Sequence, residues 1–214
     1  MSNDVLNALE AARVLPVAVL HQVDDGPRLA EALLEADLNV IEVTLRTPVA
    51  LEALRAIRSR FPDMIVGAGT VLDEAQVHFI TEADLHFAVA PGLDAAVLKT
   101  AQEQGLMLLP GVVTPSEVTQ AIRSGAQVLK FFPAEPAGGA KYLKALIGPF
   151  GHTGVRFVPT GGIQPEALSD YLAIPQVVAV GGSWFVPNSA IKEGDFAKVT
   201  ALTREALERA TGAS

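Results

Sequence analysis

Short apolar runs rich in Val, Ile, Leu and Phe return along the whole chain at intervals of roughly 20 to 28 residues, at 15–20, 40–45, 64–70, 87–91, 107–113, 128–133, 156–162 and 177–183. They are apolar nearly throughout rather than alternating, as strands covered on both faces must be. Between them lie stretches of helical spacing. Those at 47–57 and 114–122 both open on Thr-Pro, a helix-start signal, and Gly105 and Gly125 fall where helix ends are expected. A further helix precedes the first strand, and a last one runs from about Asp195 to Arg209.

Eight strands alternating with eight helices predict an α/β fold, a single parallel (β/α)8 TIM barrel with an extra N-terminal helix; a doubly wound open sheet is the alternative. No Ser- or Gly-rich linker or low-complexity tract divides the chain, so residues 1–214 read as one domain with short loops.

Half of the 214 residues are hydrophobic and none is Cys. Disordered and disulfide-stapled classes are thereby excluded, along with thiolate nucleophiles, Fe–S clusters and Cys-based zinc sites. The net charge is -8 and no run of Lys and Arg occurs, so the footprint of a nucleic-acid binder is missing. The N-terminus lacks the pattern of a signal peptide, and no stretch approaches the ~20 apolar residues of a membrane span. The expected location is the cytoplasm.

Against that apolar background two residues stand out. Glu42 sits inside the second run and Lys130 inside the sixth, where a charge is costly unless paired. A structural ion pair between them, or a lysine that snorkels from a short strand, satisfies the pattern. So does chemistry: a desolvated amine has its pKa lowered and can attack a carbonyl to form a Schiff base, with a buried carboxylate as general acid and base. Strand alternation puts Glu42, Thr44 and Arg46 on one face and Lys130 with Phe132 on another. Arg46 falls at a strand's C-terminal end, where barrel enzymes place their sites, and its planar fork suits a carboxylate.

The seventh and eighth runs end in glycine pairs, Gly161–Gly162 and Gly181–Gly182, followed or preceded by the hydroxyls of Ser183 and Thr160. Barrels commonly hold phosphate at these two strand ends, where glycines let backbone N–H groups approach an anion. The glycines at 67–70 lack the rest of a dinucleotide fingerprint; they read as room for a substrate beside Thr70, or as close strand packing. His21, His78, His86 and His152 have no metal-ligand spacing, and His78 and His86 read as solvent-facing. Trp184 reads as a packing residue.

Five segments in this order, EVTLRT at 42–47, GAGT at 67–70, KFFPAE at 130–135, PTGGI at 159–163 and GGSW at 181–184, resemble the 2-keto-3-deoxy-6-phosphogluconate aldolases, also described as 4-hydroxy-2-oxoglutarate aldolases. The likeness spans about Pro16 to Pro187. It implies a cytoplasmic, homotrimeric class I aldehyde-lyase of the Entner-Doudoroff route, with neither metal nor other cofactor. Its partners would be a phosphorylated keto acid, pyruvate and glyceraldehyde 3-phosphate, with no nucleic acid and no membrane.

By the same resemblance Lys130 is the Schiff-base lysine and Glu42 the acid/base. Arg46 and Thr70 hold the carboxylate end, and Phe132 packs beside the reacting centre. Gly161, Gly162, Gly182 and Ser183 bind phosphate, and Thr160 lies near the hydroxyls, favouring the gluconate over the galactonate epimer. The segment 135–139 departs from the family pattern. Two rivals use the same residues otherwise: a barrel isomerase with Lys130 as a fixed charge, and a non-catalytic binder of phosphorylated metabolites.

Overall fold

The computed structural model describes residues 2–212. Helix α1 (Ser2–Ala12) leads into β1 (Val14–Ala18), and strands and helices then alternate: α2 (Asp25–Leu34), β2 (Val40–Thr44), α3 (Ala50–Arg60), β3 (Ile65–Gly69), α4 (Glu74–Glu82), β4 (Phe87–Val89) and α5 (Ala95–Glu103). The second half continues with β5 (Met107–Leu109), β6 (Gly111–Val112), α6 (Pro115–Arg123), β7 (Val128–Phe131), α7 (Gly139–Ile147) and β8 (Arg156–Pro159). After them come α8 (Leu168–Leu172), β9 (Val180–Gly182), α9 (Asn188–Glu193) and α10 (Phe196–Thr211).

All strand pairs are parallel, which forces each connection to cross over, and a helix makes most of those crossings. The result is a curled parallel sheet. Six strands run in the order β5-β4-β3-β2-β1-β9 and three in the order β6-β7-β8. Isolated bridges join Phe157 to Val177 and Thr160 to Gly181.

The fifth apolar run is thus two short strands rather than one. Proline has no N–H to give to a ladder, so pairing breaks at Pro110. Its carbonyl still accepts from the Lys130 N–H at 2.9 Å, and the chain passes from β5, which pairs with β4, to β6, which pairs with β7. Gly111 follows because any Cβ there would collide with the Pro91 carbonyl.

Strands are buried because both faces carry apolar side chains: Val40, Ile41 and Val43 are wholly inaccessible, each worth roughly 1.5–3 kcal/mol over an exposed position. The eighth run is regular only at its end, since residues 177–179 lie outside β9. Helix starts follow the sequence unevenly. Thr114 forms a capping box with Glu117 at the start of α6, as its Thr-Pro signal predicts. Thr47 instead donates to the Leu20 carbonyl at 2.6 Å, and α3 begins three residues later at Ala50 with no side-chain cap. Gly105 and Gly125 follow α5 and α6 with positive φ, as expected, and Asp195 caps α10 by accepting from the Lys198 N–H.

Candidate active site

The two charges inside strands meet. Lys130 Nζ lies 3.8 Å from Glu42 Oε1, with Lys130 6% and Glu42 0% exposed. Neither Glu42 oxygen accepts a hydrogen bond from another described residue, so the lysine is its only counter-charge. Burial pushes the Glu42 carboxyl above its ordinary range, and the Lys130 ammonium opposes that rise. Lys130 Nζ also stands 5.0 Å above the centre of the Phe132 ring, beside the cis Phe132–Pro133 bond.

The space Glu42 occupies is made by Gly69, where a Cβ would collide with Glu42 Oε1. This corrects the reading of residues 67–70 as room for substrate. The void at Gly67 is filled by the Phe87 ring and that at Gly69 by the Glu42 carboxylate. Close packing is what those glycines permit. Thr70, just past β3, takes φ 60°, and so turns the chain at the rim of the site.

Above the pair opens a cavity of about 400 Å³ at the C-terminal ends of the strands. Arg46, Thr70, Lys130, Phe132, Thr160, Gly161, Gly162, Gly182 and Ser183 all line it. Glu42 does not reach its surface; it lies under Lys130. No carboxylate lines the cavity, and its charged residues are Arg46 and Lys130, although the whole chain carries -8. Arg46 is exposed and has no carboxylate partner among the described residues, so its guanidinium is free for an anionic ligand. A hollow of about 460 Å³ near the N-terminal ends of β7 and β8 is different in kind, because its charged residue, Arg156, is already held by Glu10 at 2.7 Å.

The two glycine pairs differ. Gly161 and Gly162 have φ 107° and 79°, a left-handed turn that leaves backbone at the cavity wall, and Gly162 is exposed. Gly181 and Gly182 end β9 without positive φ and are buried; Cβ atoms there would collide with Thr160 and with the Trp184 ring. Only the first pair is an open turn. Trp184 therefore does more than pack edge-on against Phe185 at 4.9 Å: its ring lies against Gly182 and forms part of the cavity.

Gln164, Asn188 and the wall residues Val17 and Val19 also line the cavity, and nothing in their local sequence marks them. His78 is exposed on α4, as expected, whereas His86 is half-buried: its Nδ1 accepts from the Val66 N–H at 3.0 Å, and burial lowers its pKa. Among the described residues no group of three or more His, Asp or Glu is placed to hold a metal ion.

Fold and site together define a parallel α/β protein with a buried lysine–carboxylate pair beneath an anion-compatible cavity. Residues 5–202 match the family model described as KDPG and KHG aldolase, and the chain belongs to that family. The KHG/KDPG aldolase of Escherichia coli (strain K12) is 46% identical over 202 residues, covering 94% of each protein. The KDPG aldolase of Legionella pneumophila, with pyruvate captured at low pH as a covalent carbinolamine intermediate, superposes with a TM-score of 0.90 at 41% identity, covering 94% of this chain and 97% of that one. The 2-keto-3-deoxy-6-phosphogluconate aldolase of Zymomonas mobilis ZM4 with 3-phosphoglycerate gives 0.88 at 44% identity, covering 96% of both.

Proposed function

We propose that this protein is a class I aldolase that cleaves 2-keto-3-deoxy-6-phosphogluconate to pyruvate and glyceraldehyde 3-phosphate, and also 4-hydroxy-2-oxoglutarate to pyruvate and glyoxylate. The observation that carries this is the Lys130–Glu42 pair, 3.8 Å apart, under a cavity whose own charges are both positive. Such a cavity suits a substrate with a carboxylate at one end and a phosphate at the other.

The Lys130 amine, unprotonated, attacks the C2 carbonyl, and the carbinolamine, its hydroxyl protonated by the Glu42 carboxyl, loses water to give a protonated imine and leave the Glu42 carboxylate. The C3–C4 bond then breaks. Its electron pair flows into the imine to leave an enamine, while Glu42, through one water, takes the proton of the C4 hydroxyl as the aldehyde forms and leaves. The same carboxyl returns that proton to C3, and hydrolysis of the protonated imine releases pyruvate and the free amine, its surplus proton going back to the Glu42 carboxylate. Arg46 and Thr70 hold the keto-acid carboxylate, Phe132 covers the reacting carbons, and Thr160 lies near the hydroxyls. The open turn at 161–162, with Gly182 and Ser183 at the neighbouring strand end, takes the phosphate.

The two sheets form one closed (β/α)8 barrel in a single domain over 1–214. Continuity through Pro110 and the bridges Phe157–Val177 and Thr160–Gly181 support closure. A cytoplasmic homotrimer is supported by the family resemblance and by exposed Leu72 and Phe79, apolar surface suited to a second copy. None of the helices among the described residues is long and apolar enough to cross a membrane.

Incubation with pyruvate and borohydride, followed by peptide mapping, tests the covalent step. A single pyruvate-derived adduct on Lys130 is expected. Folded protein without an adduct would return the site to non-covalent isomerase chemistry, with Lys130 as a fixed charge.

A further inference from the structure

Each of the two tyrosines of the chain donates to a segment that leaves a strand end, Tyr142 to the one after β6 and Tyr171 to the one after β7. Tyr142 donates to the Val113 carbonyl at 2.9 Å and stacks on Phe131. Tyr171, in α8, is fully buried, and its hydroxyl donates to Glu135 Oε1 at 2.6 Å. That is a short bond to a charged acceptor, the stronger kind.

Glu135 in turn grips the open glycine turn. Its N–H donates to the Gly161 carbonyl at 3.0 Å, beside the bond from the Ala134 N–H to the Thr160 carbonyl at 2.8 Å. Its Cβ would lie 3.1 Å from a Cβ placed on Gly162, so the side chain is packed against the back of that turn. The carboxylate oxygens face the positions of Gly139 and the Tyr171 hydroxyl. An acid thus stands directly behind a turn that must accept an anion, and one phenol holds it in place. Burial and that carboxylate both push the Tyr171 phenol above its ordinary value, so it remains a donor.

We propose that Tyr171 is a positioning residue for the phosphate end of the substrate: through its hydrogen bond it fixes Glu135, and through Glu135 the shape of the turn at 161–162. The inference rests on the aldolase reading above and makes that reading specific. A residue acting only on the phosphate end leaves the pyruvate end untouched. A residue acting on stability alone affects both ends alike.

The test compares the protein with Tyr171→Phe, Glu135→Ala and Glu135→Gln, each checked for fold by circular dichroism. Four quantities are measured: KM and kcat for 2-keto-3-deoxy-6-phosphogluconate, the inhibition constant of inorganic phosphate, and the pyruvate concentration that half-saturates borohydride trapping. Tyr171→Phe keeps the ring and removes the donor. It is expected to raise KM and the phosphate inhibition constant by about five- to tenfold, with kcat and pyruvate half-saturation unchanged. Glu135→Ala, at an exposed position, should do the same, and Glu135→Gln, which keeps an acceptor oxygen, should restore KM to within about twofold.

Equal weakening at both ends, or no change in either variant, overturns the proposal while leaving the aldolase reading in place. If the unaltered protein forms no pyruvate adduct, it is the aldolase reading that falls, and the role of Tyr171 falls with it.

Discussion

At the scale of single residues the site turns on one ion pair, and its electrostatics fix the direction of a pH effect. Lys130 is what holds the Glu42 carboxyl down against the rise that burial causes. In Lys130→Met that restraint is gone, and the folded protein binds the Glu42 proton more tightly than the unfolded chain does. A folded pKa above the unfolded one gives stability that is full below the unfolded value of about 4.3 and is lost as pH rises through the folded value. Thermal melts of Lys130→Met against the double variant with Glu42→Gln should diverge as pH rises above about 4.3, by up to ~1.4 kcal/mol per pH unit. Parallel melting curves across that range would mean that Glu42 is not buried as a charge. Gly69→Ala makes a second demand, because its methyl group takes the place of Glu42 Oε1. Destabilisation of about 1–3 kcal/mol is expected from overpacking. A fall in kcat of at least about tenfold should accompany it while KM holds, since the proton-transfer group has moved and the binding groups have not. Unchanged kcat would detach Glu42 from the chemistry. Lys130 and Glu42 were legible in the sequence because a charge amid apolar residues is an anomaly that needs no structure to notice. The part played by Gly69 was not, since it depends on β2 and β3 lying side by side with Thr44 opposite Gly69.

At the scale of elements, legibility followed whether a signal is local. The capping box at Thr114 and Glu117 is written within four residues and was realised, with the Glu117 carboxylate accepting from the Val113 and Thr114 N–H groups at 2.8 Å each. Thr114→Ala should lower stability by about 1 kcal/mol and leave kcat unaltered, as compared by urea unfolding and steady-state assay. A changed kcat at equal stability would place α6 in the catalytic machinery. Thr47 carries a similar local signal and misleads, because its hydroxyl is used in a bond to Leu20, 27 residues away. The strand ends mislead in the same manner. Thr70, Phe132, Gly161 and Ser183 belong to apolar runs in the sequence but lie past the last residues of their strands, and these overhangs are where the cavity forms. The two glycine pairs read identically in one dimension. They part in three, as one is a left-handed turn and the other a strand end kept bare for Thr160 and Trp184.

At the scale of the molecule the charge distribution runs against the composition. A chain with net charge -8 repels an anionic substrate at long range, yet its cavity is lined by two cations and no carboxylate. The curled parallel sheet explains how: most acids stand exposed on the helices and their connections, whereas the strand ends carry hydroxyls, glycines, Arg46 and Lys130 toward the mouth. Of the two cations, Lys130 is committed to Glu42, so the burden of holding the keto-acid carboxylate falls on Arg46. Arg46→Gln removes the guanidinium from an exposed position that makes no ion pair with the described residues, so the fold should be unaffected. Loss of a charge-assisted bond worth about 1.5–3 kcal/mol corresponds to a rise of about 10- to 150-fold in KM and in the pyruvate concentration that half-saturates borohydride trapping. Inhibition by inorganic phosphate should change far less, because the phosphate is assigned to the turn at 161–162 and not to Arg46. Were phosphate inhibition to weaken as much as pyruvate binding, Arg46 would be a general attractor of anions rather than the partner of one carboxylate, and the two-ended cavity would have to be redrawn.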